Sequence, residues 1–407
     1  MTTINDLAFA IPAFFLFVFM EYKLTQRQKR RSIFKYESSI ANFSVGIAER
    51  LLNLFIAASF YQAYNWIYVN YAIFEIPNKW YVWIFLLFVT DLVWYWYHRL
   101  GHEINFLWAA HIVHHQSEEF NLTAAARITT IQAVFRNVFW CVLPFLGFHP
   151  NMIIVILLAH GAYSFFTHTQ LFGKIGWLEY VFITPSLHGV HHASDEKYLD
   201  KNYGDVFVFW DKIFGTFQTE EESPKYGLTH PIKSYSFLWQ HFHYYLEILE
   251  AYKRADGFKG RWASVFGSPA LMDQNIRPKL ELKYLQNKTK EKKIKFKGYV
   301  NFQMILIIVL LTLTTMFYES INQLNAFAIL IFIIITLINV GALLEQRKWI
   351  YYLECFRLIS ICAYVFYVFN IFELLIFPVV GLIIMERTFA LSSLYNKYIL
   401  KYRNTKN

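Results

Sequence analysis

Three short histidine clusters constrain this chain more than any other feature, because they oblige separated segments to meet. They are His98-Arg99-Leu100-Gly101-His102, His111-Ile112-Val113-His114-His115 and His188-Gly189-Val190-His191-His192. Eight of the chain's 14 histidines stand in them. On a helix, residues three and four apart share a face. The first cluster is an i, i+4 pair and the others are i, i+3, i+4 triplets, so each is expected to aim all its imidazoles at one point. Neutral imidazole is the commonest nitrogen ligand for Zn, Fe and Cu. Eight nitrogens exceed what one tetrahedral or octahedral ion accepts, so two ions sharing the set is the simplest arithmetic. A lone histidine on an apolar face is usually a satisfied core residue; this spacing between His98 and His192 is a ligand pattern.

Other metal chemistries fail on inventory. Cys141, Cys355 and Cys362 are the only cysteines, and all lie inside apolar runs away from the clusters. An HExxH zinc site would need a histidine where Phe106 stands. Nitrogen ligands alone leave Zn, Fe, Cu and Ni open. The surroundings argue for iron: a redox-inert zinc centre needs a hydrolysable substrate, whereas an iron pair in a water-poor, aromatic setting can turn O2 against an unactivated C–H bond.

That setting is a membrane. The chain has 407 residues, 56% hydrophobic and 20% aromatic, with mean hydropathy +0.30. The expected fold class is an all-α polytopic integral membrane protein, its transmembrane helices carrying a cytoplasmic, histidine-rich di-metal helical cap. Apolar runs predict spans at 7–22, 40–66, 80–97, 131–148, 152–167, 299–318, 325–344, 349–369 and 371–386. Glu49, Arg50 and Arg136 fall inside two of them and must face protein or water. No basic segment precedes the first run and no small-residue cleavage site follows it, so no cleavable signal peptide is expected.

Charge sets the orientation. Lys23, Arg27, Lys29, Arg30, Arg31 and Lys35 follow the first span, a run from Lys288 to Lys297 precedes the sixth, Arg347 and Lys348 separate later spans, and Lys397, Lys401, Arg403 and Lys406 close the chain. The alternate loops hold one basic residue, Lys79. The positive-inside rule places the basic loops and all three clusters on the cytoplasmic side. The net charge of +9 is thus mostly topological. Nucleic acid is excluded as a partner, since the lysines are not interleaved with aromatic residues in a nucleic-acid-reading fold.

Outside the clusters, Asp91 lies two helical turns before His98 and is a candidate to accept its ring N–H. Glu119, Asn121 and Arg127 are further polar neighbours. His168, at the cytoplasmic end of the fifth span, is a ninth candidate ligand. His160 is deeper in that span and His149 at its far end, and both are left out of the site. Residues 193–296 read as a cap of helical pieces, including an aromatic helix near 236–252. The expected division is a catalytic domain over 1–296 and a C-terminal transmembrane module over 297–407.

At these residues the chain resembles the fatty acid hydroxylase/sterol desaturase superfamily, integral-membrane di-iron enzymes marked by HxxxH, HxxHH and HxxHH. The likeness runs from Asp91 to Pro231, through Trp96 to Glu103, His111 to Arg127, Thr184-Pro185 to His192, Asp200-Lys201-Asn202-Tyr203, Trp210 to Phe217 and Gly227-Leu228-Thr229-His230-Pro231. The flanking motifs and hydrophobic C-terminal third are most similar to its ether-lipid branch. The resemblance implies metal ligands at His98, His102, His111, His114, His115, His188, His191 and His192, with Glu103 and Asn121 matching polar residues of the branch. It implies two Fe ions and an O2-dependent monooxygenase acting on a membrane lipid, with alkylglycerols cleaved to a fatty aldehyde and glycerol. It also implies an electron donor supplied in trans, tetrahydrobiopterin for that branch; the chain has no flavin, nicotinamide, haem or cytochrome b5 motif of its own. The alternatives are a sterol, carotenoid or fatty acyl hydroxylase or desaturase of the same superfamily and, from other classes, a membrane haem protein or a metal transporter. Those last two want histidines or acidic residues at mid-membrane, whereas these clusters lie at its edge.

Overall fold

The computed structural model describes residues 5–285, 297–347 and 349–398. The described residues are helical, with no β-strand and two isolated bridge pairs. Lys288 to Lys295, Lys348, and Lys401, Arg403 and Lys406, on which part of the charge argument rests, lie outside them. The described residues form two compact units, one of 10–233 and 240–285, the other of 5–9, 234–239 and 297–398. Among the described residues, seven helices are long and apolar enough to cross a membrane.

The first unit contains α1 (Ala10–Arg27), α2 (Tyr36–Tyr71), α3 (Trp80–Glu103), α4 (Asn105–His111), α5 (Thr130–Trp140), α6 (Val142–Leu146), α7 (Pro150–Thr167), α8 (Pro185–His191) and α9 (Phe209–Phe214). It also holds most of α10 (Phe237–Arg254), then α11 (Gly257–Phe266) and α12 (Ile276–Tyr284). The 36 residues of α2 rise about 54 Å, well beyond a hydrocarbon core of about 30 Å. Its first half is therefore protein-facing: Ile40, Ala41, Asn42, Val45, Ala48 and Leu51 are buried. Glu49 is buried with them and ion-paired to Arg50 at 2.6 Å.

The expected span at 131–148 is not one helix. It is the pair α5 and α6, eleven and five residues long. Pro144 explains the break: it has no N–H and its ring crowds the carbonyl four residues back, which belongs to Trp140, where α5 ends. Both ends of the pair are tied to the unit. At one end the Thr129 hydroxyl donates to the Ala110 carbonyl; at the other the Phe145 carbonyl accepts from the Ile73 amide, 2.9 Å away in the α2–α3 loop. There Gly147 sits at φ +109, where a Cβ would collide with the Phe74 carbonyl. Tyr64, Val82, Leu86, Trp140, Leu143, Phe148 and Met152 pack into the apolar core of this region.

The second unit contains α13 (Lys297–Met316), α14 (Gln323–Leu344), α15 (Ile350–Phe369), α16 (Glu373–Phe389) and α17 (Leu391–Tyr398). The expected span 371–386 falls on α16, which bends by 76° into α17 at Ala390, a residue with φ 46. Arg357 of α15 is accommodated among apolar helices because its N–H groups find Glu354 at 2.7 Å, Gln303 at 2.8 Å and Tyr299 at 3.0 Å.

Candidate metal centre

The histidines come from element ends. His98 and His102 occupy the last turns of α3. The chain breaks at Ile104, in extended conformation, and turns back as α4, which ends on His111; a short 3-10 turn then carries His114 and His115. α8 opens with Thr184 capping the Leu187 amide and Pro185 in the first turn, a strong start signal. Its last turn presents His188 and His191, and His192 caps it. His168 caps the end of α7.

Two groups result. His98, His102, His111, His115 and His191 bring one ligand atom each within 4.8 Å of one another, and His114, His168, His188 and His192 do the same. The expectation that each cluster aims at one point is corrected for both triplets. In each, the i, i+4 pair enters one group and the middle histidine the other. Positions i+3 and i+4 point about 100° apart on a helix, so a triplet spans two sites instead of filling one. His168, expected from its depth alone, lies in the second group, its Nε2 3.2 Å from His114 Nε2 and 3.1 Å from His188 Nε2.

Backbone carbonyls fix the rings. His98 Nδ1 donates to the Tyr203 carbonyl at 2.8 Å, His191 Nδ1 to the Lys201 carbonyl at 2.9 Å and His168 Nδ1 to the Ser164 carbonyl at 2.7 Å. A carbonyl only accepts, so each of these rings carries its proton on Nδ1 and keeps a bare lone pair on Nε2. The amide nitrogen of Gln132 stands 2.8 Å from His111 Nδ1 and fixes the ring's orientation; the flipped amide, with Oε1 toward the ring, would set the same tautomer as in the other three.

The bare nitrogens then face one another. His111 Nε2 lies 3.1 Å from both His98 Nε2 and His115 Nε2. His102, His191 and His192 each bury an Nε2 without a hydrogen-bond partner among the described residues. Converging lone pairs repel unless a cation sits among them. Ligands on one ion, at about 2.1 Å each, stand up to about 4.2 Å apart, close to the spread seen here. The donor set fits two transition-metal ions. Outside the membrane helices, burial pushes His111, His114, His115, His188, His191 and His192 well below the usual imidazole range, assisted by neighbouring imidazoles. Burial brings His168 to about 4. Neutral rings are what metal binding requires.

The expected polar neighbours are placed differently. Asp91 is fully buried, but its oxygens accept from the Val206 and Phe207 amides and the Trp210 indole at 2.9, 3.1 and 3.0 Å; Tyr203 takes the His98 proton instead. Glu103, half exposed, holds Arg99 at 2.8 Å. Asn121 donates to the Ile33 carbonyl and accepts from Thr123, bracing the loop behind the histidines. Arg127 donates to the Val113 carbonyl at 2.7 Å, next to His114. Sequence reasoning missed Gln132, the carbonyl acceptors and Asp205. His160, left out of the site, joins Asp91 and Asp205 in a buried group of its own, donating to Asp205 at 2.8 Å. His149 caps α7 at its other end.

Residues 83–216, which contain both groups, match the Fatty acid hydroxylase family model. The chain is 31% identical to human alkylglycerol monooxygenase over 358 residues, 86% of this chain and 80% of the relative. The Xenopus tropicalis alkylglycerol monooxygenase is 30% identical, with 84% of this chain and 78% of the relative covered; that of Danio rerio is 29% identical, with 86% and 80% covered. No solved structure matches the chain. Two nitrogen-only sites built from HxxxH and two HxxHH motifs, within a family match and a likeness running over most of its length, lead to one conclusion: the chain belongs to the fatty acid hydroxylase family, with alkylglycerol monooxygenases among its relatives.

Proposed function

We propose that this protein is a di-iron, O2-dependent membrane lipid monooxygenase that hydroxylates alkylglycerols beside the ether oxygen, releasing a fatty aldehyde and glycerol. The observation that carries the reading is the pair of buried, neutral, nitrogen-only groups of five and four histidines. The similarity to alkylglycerol monooxygenases supplies the substrate class.

With iron bound at both groups, the centre supplies the oxidant that replaces a C–H hydrogen by OH. The chain's own residues hold and orient it. Nine imidazoles present lone pairs inward, and Tyr203, Lys201, Ser164 and Gln132 fix four of the rings. Phe120 packs on His192 and His168 and stacks on Tyr226 at 4.8 Å, walling one group from water. The reaction consumes one O2, two electrons and two protons; one oxygen atom enters the lipid and the other leaves as water. Hydroxylation of the CH2 beside the ether oxygen gives a hemiacetal. Its hydroxyl proton passes to the ether oxygen as the C–O bond breaks, leaving aldehyde and free glycerol.

The electrons come from a donor supplied in trans, which we assign to a reduced pterin, tetrahydrobiopterin. The basic loop after α1 supports a cytoplasmic placement of the histidines. A substrate panel tests the reading: purified protein with ferrous iron, O2 and tetrahydrobiopterin is offered an alkylglycerol, a sterol, a carotenoid and an acyl chain. Aldehyde release from the alkylglycerol is expected. O2 consumption with only one of the others would overturn the substrate, and none with any would overturn the oxygenase.

A further inference from the structure

Two rings of the five-histidine group, those of His191 and His98, lean on one short loop. Lys201 and Tyr203 give their carbonyls to His191 and His98. They can do so because Asn202 between them adopts a left-handed conformation, φ 54, as does Asp200, φ 58. Asparagine and aspartate tolerate this region.

Side chains outside the two histidine groups hold the loop. Asn202 is fully buried. Its amide group donates to the Leu187 and Gln218 carbonyls at 3.0 and 2.7 Å, and its oxygen accepts from the Gln218 amide at 2.9 Å. Asp211, also fully buried, accepts from the Tyr203 and Gly204 amides at 2.7 and 2.9 Å. A Cβ on Gly204 would stand 2.9 Å from Asp211 and 2.6 Å from the Phe207 carbonyl, so the carboxylate closes directly on the backbone. From α3, Asp91 takes two amides just past the loop, those of Val206 and Phe207. In the other group, His168 uses a carbonyl of its own helix.

We infer that residues 200–204 form a two-carbonyl clamp specific to the five-histidine metal site, with Asn202, Asp211 and Asp91 as its positioning residues, so that loosening it weakens one ion and leaves the other in place. The inference rests on the two-metal reading above. Outer partners of ligating histidines contribute about 10- to 100-fold in metal affinity, and the clamp concentrates that effect on one site.

The test is anaerobic iron(II) titration of full-length purified protein against a competing chelator, with ions per chain counted at each step. Asn202→Gly keeps the left-handed backbone without strain and removes the anchors; Asp211→Asn turns one of the two oxygens that accept from the Tyr203 and Gly204 amides into a donor. In each, one ion is expected to weaken about 10- to 100-fold while the other keeps its affinity. His188→Ala, in the four-histidine group, is expected to lose the other ion, and combining it with Asn202→Gly to lose both. If both variants keep wild-type affinity for two ions, or weaken both ions together, or fail to fold, the clamp is refuted while the two-metal reading stands. A wild-type protein that takes up no ion removes both.

Discussion

Lowering the pH from about 7.5 to 5.5 is expected to remove most of the stability of the metal-free protein, because folding keeps imidazoles neutral against their intrinsic basicity. His111, His114, His115, His168, His188, His191 and His192 lie outside the membrane helices, and all have lowered pKa values, burial being the first cause. The sign follows from the protons bound. Below about 6.5 the unfolded chain takes up protons that the folded chain refuses, so stability is full above that value. It is lost as pH falls through the folded values, about 4 for His168. One pH unit below the unfolded pKa, each such ring costs about 1.4 kcal/mol. Seven rings cost about 10 kcal/mol, against a total stability of about 5–15 kcal/mol. Bound iron occupies the same lone pairs, so the loaded protein should hold to lower pH. The assay is thermal unfolding by tryptophan fluorescence in one detergent, metal-free and iron-loaded, at both pH values. A metal-free midpoint that does not move between them refutes the claim that these rings are held neutral.

Four further outcomes follow. His114→Ala and His191→Ala, one from each group, should each abolish activity while the protein still inserts; full activity in either sinks the two-metal reading. Gln132→Leu should weaken iron binding about 10- to 100-fold by removing the carboxamide that orients the His111 ring, read by the same chelator competition. Gly147→Ala should lower the melting temperature through a loss of about 1–3 kcal/mol, because the new methyl meets the Phe74 carbonyl at a positive φ; an unchanged melting curve contradicts that packing. Labels at Lys29 and Asn407 should report the cytoplasmic side and one at Ile73 the opposite side, whereas external labelling of 193–285 would overturn the placement of the site.

The features legible in sequence were those written in side chains at fixed spacing. HxxxH and HxxHH named eight histidines, and long apolar runs gave the helices α1, α2, α3, α7, α13, α14 and α15. The broken pair at 130–146 was legible in principle, since Pro144 marks its own break at Trp140. The sorting of each triplet between two groups was not, because it depends on which way a short helix is turned in space. Nor were the partners of the rings: Tyr203, Lys201 and Ser164 act through backbone carbonyls, which leave no trace in residue identity. Asp205 reaches His160 across 45 positions, and only the fold brings them together. Asp91 was singled out for the right face of α3 but serves the loop beyond His98.

Oxygen isotope labelling tests the central claim most directly. The purified, iron-loaded protein is supplied with a reduced pterin, an alkylglycerol and 18O2. The account predicts fatty aldehyde that forms only in the presence of O2 and carries one labelled oxygen at its carbonyl, with unlabelled glycerol. Equal aldehyde without O2, or label absent from the aldehyde, would contradict it and make the histidine centre something other than an oxygenase.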